Sequence, residues 1–283
     1  MSLNNSILTN VGAMVALNNL ATVNANLKTT QSRISTGLKV AGAQDNASVF
    51  AVAQGLRGNI AAYDAVATAL AGSQGLVSVA TAAATSVSNA MQDVKVKLTQ
   101  LSDDSLTSTQ RSYYNNDLNA LVNQINTSFI QGANYNGSNL LNSSGLVSVI
   151  ATTSGTTITY GGTTDQLSTA MTTFLAAVST EMSATTGATA LAMINGSGAW
   201  DTFNNAVNAV LANLGSVNRQ LTDQIKFNQS VSDATSTGLG ALVDADLAKE
   251  SANLTAYQTQ QQLAMQPLSI ANQAPSSILS LFR

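Results

Sequence analysis

Residues 258–283 read QTQQQLAMQPLSIANQAPSSILSLFR, and this stretch has no charged side chain before its final arginine. Leucines and isoleucines recur in it at helical spacings, and it contains both prolines of the chain, Pro267 and Pro275. The opposite end is similar, because the first charged side chain is Lys28. A helix that faces water normally carries charges on its outer side. Two neutral ends therefore indicate helices that other protein covers on all sides.

The composition excludes most kinds of active site. The 283-residue chain contains no cysteine and no histidine, which excludes disulfides, zinc–thiolate sites, cysteine nucleophiles and histidine-based triads. The net charge of −3 comes without a basic cluster, so we expect no nucleic-acid partner. There is no run of about 18 apolar residues, so we expect no insertion into a membrane. The acidic pairs Asp103-Asp104 and Asp244/Asp246 lack supporting ligands and fit helix caps or solvated turns better than a metal site or a carboxylate dyad, so we expect no catalytic residues, cofactor or metal site.

Apolar side chains at three- and four-residue spacing predict a helix at each end of the chain. The first helix is expected to end at Gly37, and the last to run from about Asp244 to Asn272. We interpret the apolar residues of the first helix as one continuous stripe. That stripe comprises Leu3, Ile7, Val11, Met14, Leu20, Val23, Leu27 and Ile34. The last helix has an apolar side formed by Leu247, Leu254, Tyr257, Leu263 and Leu268.

The region between the ends combines helices with a small β-structure. Helical periodicity extends from 46 to 101, where glycines predict one or two breaks, and further helices are expected at 105–130 and 206–231. Two β-rich runs flank Ser154-Gly155 and predict a hairpin. The predicted fold class is therefore mainly α: a long antiparallel coiled coil or rod formed by both chain ends, with a small α+β outer region that contains the hairpin.

Two explanations of the neutral ends remain open at this point. They could form a buried helix pair in a monomeric bundle, but the outer faces of such a bundle should carry lysine and glutamate. Alternatively, neighbouring subunits enclose them, and a head-to-tail contact that does not close produces a filament. We favour the second explanation. It implies that the ends are disordered before assembly and fold on association.

Four stretches resemble segments of the bacterial flagellins, in the order that the family has them. RISTGLKVAGAQDNASVFAVAQGLRGNI (33–60) resembles the N-terminal signature, and YNGSNLL (135–141) resembles an asparagine–glycine turn. VDADLAKESANL (243–254) is similar to the acidic and AKE segment, and SIANQAPSSILSLFR (269–283) to the family ending. The resemblance covers about 1–145 and 205–283. Its signature residues are Arg33, Gly37, Leu38, Asp45, Asn136, Gly137, Asn139, Asn272, Gln273 and Pro275.

The resemblance implies an extracellular subunit that self-assembles into the helical filament of the bacterial flagellum for swimming motility. It implies inner terminal helices at 1–45 and 245–283, a helical rod domain at 46–140 and 205–244, and a variable outer region at 141–204. It also implies export in the unfolded state through the flagellar type III system, with an export chaperone, a filament cap and hook-junction proteins as partners. The side chains expected to pack between subunits are Leu3, Ile7, Val11, Met14, Leu20, Leu27, Leu254, Leu263, Leu268, Ile270, Ile278, Leu279 and Leu281.

The chain departs from the family pattern at two places. Pro267 lies within the predicted last helix, where proline removes one backbone hydrogen bond, so we expect a kink or a split near 263–267. Many flagellins are bound by an animal innate receptor through an arginine, a leucine and a glutamate. The matching positions here are Asp93, Lys97 and Gln124. Because a charge is reversed and an apolar anchor is lost, we expect weak or absent receptor binding.

Two rival functions share the end signatures. A hook–filament junction protein of the same superfamily has similar ends but does not usually form long filaments alone. A surface adhesin with flagellin-like ends would use the central region for binding. Enzymatic flagellins carry a metalloprotease-type HExxH motif, which a chain without histidine cannot form.

Overall fold

A computed structural model describes the backbone of residues 10–280 and the side chains of residues 10–273. The chain forms α1 (Val11–Thr36), α2 (Ala47–Leu101), α3 (Ser108–Asn123), a π-helix (Gln124–Ile130), β1 (Leu146–Ile150), β2 (Thr157–Gly161) and a 3₁₀ turn (Gly162–Thr164). It continues with α4 (Leu167–Met182), α5 (Ala188–Met193), α6 (Ala199–Val243) and α7 (Leu247–Ser280). The mainly α fold with a small hairpin is confirmed.

The chain divides into two compact units. The terminal unit comprises Met1–Ile60 and Ala234–Arg283, and the central unit comprises Ala61–Asp233. In the terminal unit α1 packs against α7. A small cluster of buried side chains consists of Val40 after α1, Ala53 in α2 and Val243 at the end of α6. The three-part division into 1–45 with 245–283, 46–140 with 205–244, and 141–204 stays a prediction.

The central unit is built around one buried stripe of α2. Its members recur at alternating three- and four-residue steps, which keeps them on one side of a helix. The stripe from Val77 onward consists of Val77, Ala80, Ala84, Val87, Met91, Val94, Leu98 and Leu101, all at most 1% exposed. The phenyl rings of Phe174 in α4 and Phe203 in α6 stack with their centroids 5.3 Å apart. The indole Nε1 of Trp200 donates to the carbonyl oxygen of Met91 at 2.8 Å and ties the start of α6 to α2.

The predicted breaks in the second helix are wrong, because α2 runs without interruption from Ala47 to Leu101. The surroundings of Gly75 explain why glycine occurs at that position of the helix. A Cβ atom placed there would lie 2.8 Å from the hydroxyl oxygen of Tyr135 and 2.9 Å from its Cζ. The residue is thus a site of close approach, and not a helix breaker. α6 is also longer than predicted, because it begins at Ala199 and ends at Val243.

The predicted hairpin is confirmed. β1 pairs with β2 in antiparallel register, Val149 lies opposite Ile158, and Gly155 in the connecting turn has the left-handed φ of 89° that favours glycine. Side chains of α6 hold this region in place. The amide of Asn228, which is fully buried, donates to the carbonyl oxygen of Ala151 at 2.9 Å.

The predicted split of the last helix is wrong, because α7 continues through Pro267 to Ser280. Proline deprives the carbonyl of Leu263 of its usual donor. Pro267 and Leu263 are both exposed, so water can bind that carbonyl in the unassembled chain. The missing hydrogen bond therefore need not end the helix. A bend at Pro267 stays a prediction.

One described helix, Ala47–Leu101, contains an 18-residue window apolar enough to cross a membrane by length and composition alone. The core helix of a soluble protein passes the same test. Only 28% of that window is buried, so the buried stripe of α2 accounts for part of its apolar content.

Candidate assembly surface

The two terminal helices meet along a seam of mostly small side chains. Burial recurs along α1 at alternating three- and four-residue steps, as in a coiled coil. The seam residues of α1 are Ala13, Ala16, Leu20, Val23, Leu27, Thr30 and Ile34. Those of α7 are Glu250, Leu254, Tyr257, Gln261, Ala264, Leu268 and Ala271. Alanine at four of these positions lets the two helix axes approach closely.

Side-chain contacts show that α1 and α7 are antiparallel. At the start of α1, the Asn10 amide donates to the carbonyl oxygen of Ala271 at 2.6 Å, while its Oδ1 accepts from the Ala13 amide and caps the helix. Midway, Gln261 Nε2 donates to Asn24 Oδ1 at 2.7 Å. Amides, which carry no net charge, therefore fix the register of this seam over most of its length.

The sides of α1 and α7 that face away from the seam expose apolar side chains. We call this set the outer apolar surface. It consists of Val11, Met14, Val15 and Leu17 on α1, and Leu263, Met265 and Ile270 on α7. Ile270 is the most exposed of them at 69%. Between residues 11 and 27 and between 251 and 273 there is no charged side chain, so the whole surface is neutral.

The packing residues predicted from the sequence divide into two groups. Leu20, Leu27, Leu254 and Leu268 lie in the seam of the same chain, whereas Val11, Met14, Leu263 and Ile270 belong to the outer apolar surface. Leu3, Ile7 and Leu281 lie outside the described residues, as do the side chains of Ile278 and Leu279.

The interpretation of one continuous stripe in α1 is wrong. The seam passes through Ala13 and Ala16, whereas Val11 lies two residues before Ala13 and Met14 one residue after it, so both fall outside the seam. The larger apolar residues at the start of the helix therefore point away from α7.

The signature residues of 33–46 and 243–250 form a joint between the terminal helices and their neighbours in sequence, α2 after α1 and α6 before α7. Gly37 ends α1 in the left-handed conformation, with a φ of 73°, as predicted. Leu38 then forms an antiparallel bridge with Asp244. The carboxylate of Asp45 accepts from the amides of Ala41 and Gly42 at 2.9 and 3.1 Å. This pattern of turns explains why the signature combines glycine with a short acidic side chain.

An ion pair closes the joint. The guanidinium Nη1 of Arg33 lies 3.1 Å from Oε1 of Glu250, whose side chain is only 10% exposed. The pair joins the last turn of α1 to the first turn of α7. Charge in the helical pair is thus confined to the end next to the joint.

The signature of residues 136–139 shapes a turn in the central unit. Asn136 and Gly137 have φ values of 49° and 82°, a conformation in which asparagine and glycine are favoured. The Asn139 side chain donates to the carbonyl oxygen of Ile130 at 2.8 Å and accepts from the Leu141 amide at 2.9 Å. It thereby caps the π-helix and fixes the chain that leads to β1.

The remaining signature residues lie near the chain end. Asn272 and Gln273 are exposed on α7, and the side chain of Pro275 is outside the described residues.

The three receptor positions lie in the central unit. Asp93 is exposed on α2, and Gln124 is exposed at the first residue of the π-helix. Lys97 Nζ lies 2.9 Å from Oδ2 of Asp117 in α3 and 5.6 Å from the centroid of the Tyr114 ring. No apolar side chain is therefore presented at position 97.

No group of three or more acidic side chains in the described part of the chain could hold a metal ion.

Comparisons with known proteins agree with this geometry. The family described as the bacterial flagellin N-terminal helical region matches residues 7–145, and the bacterial flagellin C-terminal helical region matches residues 198–282. The two matches leave residues 146–197 between them, where the hairpin, α4 and α5 lie.

Relatives match along nearly their whole length. The chain is 38% identical to flagellin FljK of Caulobacter vibrioides over 280 residues, which cover 99% of each protein. It is 36% identical to a flagellin of Brucella melitensis, with 98% of this chain and 99% of the relative covered. Flagellin C of Rhizobium meliloti is 31% identical, with 98% and 99% covered.

Proposed function

The chain belongs to the bacterial flagellin family and is a subunit of the flagellar filament, and we propose that its outer apolar surface is where further copies of the same chain pack. The observation that carries this proposal is a neutral, apolar face on both terminal helices. The exposed apolar side chains of α1 and α7 have no function in an isolated chain, and they would favour association in water.

The energetics support a repeated contact between copies. Covering one large apolar side chain is worth about 1.5–3 kcal/mol, and the outer apolar surface supplies several such side chains in every subunit. An unpaired charge buried in the same contact would cost more than one of them contributes. The absence of charge from residues 11–27 and 251–273 is therefore a requirement of the contact.

The same proposal implies an export route and a final location for the subunit. We infer that the subunit is exported unfolded by the flagellar type III system and is extracellular in the finished filament. An export chaperone, a filament cap and hook-junction proteins would be its partners on that route. No catalytic role is part of the proposal.

Seeded polymerisation of the purified chain tests the proposal. Val15→Glu places a charge on the outer apolar surface, and we expect it to abolish elongation without loss of helical content. The matched control is Leu191→Glu, which puts the same charge on an exposed leucine of α5 in the central unit and should elongate normally. Elongation of Val15→Glu at the parent concentration would refute the proposed surface. Failure of the unmodified chain to grow beyond its seeds would favour a hook–filament junction protein.

We further propose that this filament subunit is a weak ligand of the animal innate receptor. Asp93 offers a carboxylate where the family offers a guanidinium, and Lys97 is held by Asp117 instead of presenting an apolar side chain. In a reporter-cell assay we expect the triple variant Asp93→Arg, Lys97→Leu, Gln124→Glu to be at least tenfold more potent than the parent. Gln100→Arg, an added charge elsewhere on the exposed side of α2, is the control. High potency of the parent chain itself would contradict the proposal.

A further inference from the structure

We propose that Met14 and Met265 are oxidation-sensitive positions of the outer apolar surface, and that conversion of their thioethers to sulfoxides blocks addition of the subunit to a filament. The inference rests on the proposed function, because it needs the outer apolar surface to be covered by further copies. It adds a chemical modification that controls whether a subunit can join.

Both side chains are accessible in the unassembled chain. Met14 on α1 is 60% exposed, and Met265 on α7 is 51% exposed. Each directly follows an alanine of the seam, Ala13 and Ala264, so each borders the contact between α1 and α7. One methionine on each helix thus lies at the edge of the outer apolar surface that is next to the seam.

The other methionines provide internal references. Met91 and Met171 are fully buried in the core of the central unit, and Met193 is 4% exposed there. Met182 is 41% exposed at the last residue of α4, away from the terminal helices in sequence. Met1 lies outside the described residues. An oxidant should therefore modify Met14, Met265 and Met182 well before Met91 and Met171.

The reaction needs only a peroxide. A sulfur lone pair attacks one peroxide oxygen, the S–O bond forms as the O–O bond breaks, and the proton of the attacked oxygen passes to the departing hydroxide, which leaves as water. The thioether loses two electrons and the peroxide gains them. The product replaces a flexible apolar group with a strongly polar one, and a reductase specific for methionine sulfoxide reverses it.

The surroundings explain why this change would matter at these two positions. The outer apolar surface has no charged side chain along residues 11–27 and 251–273 to bind a sulfoxide oxygen. Covering the sulfoxide with a second copy would move its oxygen from water into an apolar contact without charged donors, whereas the free subunit keeps that oxygen hydrated. The modification therefore opposes assembly more than it opposes folding.

The experiment compares hydrogen peroxide-treated and untreated protein in seeded polymerisation, with oxidation at each methionine measured by peptide mass spectrometry. In the parent chain we expect oxidation of Met14 and Met265 to raise the critical concentration at least tenfold, which corresponds to about 1.4 kcal/mol. The double variant Met14→Leu, Met265→Leu keeps volume and polarity and should remain assembly-competent after treatment. Met182→Leu is the matched control and should stay sensitive.

Two results would overturn the inference. One is a treated double variant that loses assembly as severely as the treated parent. The other is parent protein, oxidised at both positions, that elongates at its untreated critical concentration. Reduction of the sulfoxides by the reductase should restore assembly of the parent.

A second measurement does not depend on the leucine variants. Assembled filaments exposed to the same peroxide should oxidise Met14 and Met265 at least tenfold more slowly than free subunits do. Equal rates in the two states would also overturn the inference. Failure of the proposed function would show differently, because untreated Val15→Glu protein would then elongate normally.

Discussion

At the scale of single residues, Gly75 has a packing role that cannot be predicted from the sequence around it. Its helical neighbours give no sign that Tyr135 approaches from a turn 60 positions later, with its hydroxyl 2.8 Å from where a Cβ would stand. Gly72 has the same appearance in the sequence, yet a Cβ there would have no described atom within 4 Å. The sequence pattern therefore predicts a helix break at both glycines, although one is a packing site and the other is exposed.

We predict opposite effects of alanine at these two positions. Gly75→Ala should lower the free energy of unfolding by about 1–3 kcal/mol, because Tyr135 must move. Gly72→Ala should raise it by up to about 1 kcal/mol through helix propensity. Urea unfolding curves measure both, and a background of Tyr135→Ala should remove most of the Gly75→Ala penalty. Equal effects of the two substitutions would show that the close approach is not significant.

Glu181 carries the clearest electrostatic signature among the described residues. Its carboxylate is fully buried, and neither oxygen has a hydrogen-bond partner there, although Arg111 Nη1 lies 3.6 Å away. Burial raises the pKa of Glu181 above its usual value of 4.5, and the Arg111 charge offsets only part of that shift. The folded chain thus holds this proton more tightly than the unfolded chain does.

The sign of the pH dependence follows from that difference. Stability contributed by Glu181 should fall as pH rises from about 4.5 through the raised pKa, because the unfolded chain then loses its proton first. Unfolding midpoints of the parent and of Glu181→Gln, measured from pH 4 to pH 8, should diverge in favour of the variant across this window. A difference between the two that stays constant with pH would contradict the assignment.

At the scale of elements, α7 shows that a proline need not end a helix. Pro267 and Leu263 are both exposed, so a hydrogen bond from water can replace the missing helical one and the helix continues. We predict that Pro267→Ala slows hydrogen exchange of the amides of residues 268–271, since alanine is favoured over proline by about 3 kcal/mol in a helix interior. Ser269→Ala, an exposed neighbour, is the control. Unchanged exchange in Pro267→Ala would show that α7 is already as stable as an uninterrupted helix.

The secondary-structure elements were largely predictable from the sequence, but the side of α1 that packs against α7 was not. The hairpin, the helix end at Gly37 and the two terminal helices followed from turn residues and periodicity. The seam of α1 did not, because it begins with Ala13 and Ala16, whereas a hydrophobic pattern gives most weight to larger residues such as Val11 and Met14. Close helix packing favours small side chains, and a prediction based on side-chain size and hydropathy does not detect that preference.

At the scale of the whole molecule, the two units differ in how much they bury. The central unit has an extended core of buried side chains from α2 to α6, whereas the buried cluster of the terminal unit consists of Val40, Ala53 and Val243. Local stability follows buried apolar contacts. The terminal unit should therefore be the less stable part of an unassembled subunit, and contacts with neighbouring subunits should supply the missing burial of apolar side chains.

We predict two separate unfolding steps in the free subunit. Far-ultraviolet circular dichroism should report both, with the helices of the terminal unit lost first. Fluorescence of Trp200, the single tryptophan, should report only the second step, because its indole is buried in the central unit. In filaments the first step should disappear. A single transition at one temperature for both probes would show that the units are equally stable.

The central claim is that further copies of this chain cover the outer apolar surface, and a cryo-electron microscopy reconstruction of the filament tests it most directly. The account predicts that Val15, Leu263 and Ile270 each lie within about 4.5 Å of apolar atoms of a neighbouring subunit. Leu20 and Leu268 should stay in the seam of their own chain. A filament in which Val15, Leu263 and Ile270 all faced solvent would contradict the account.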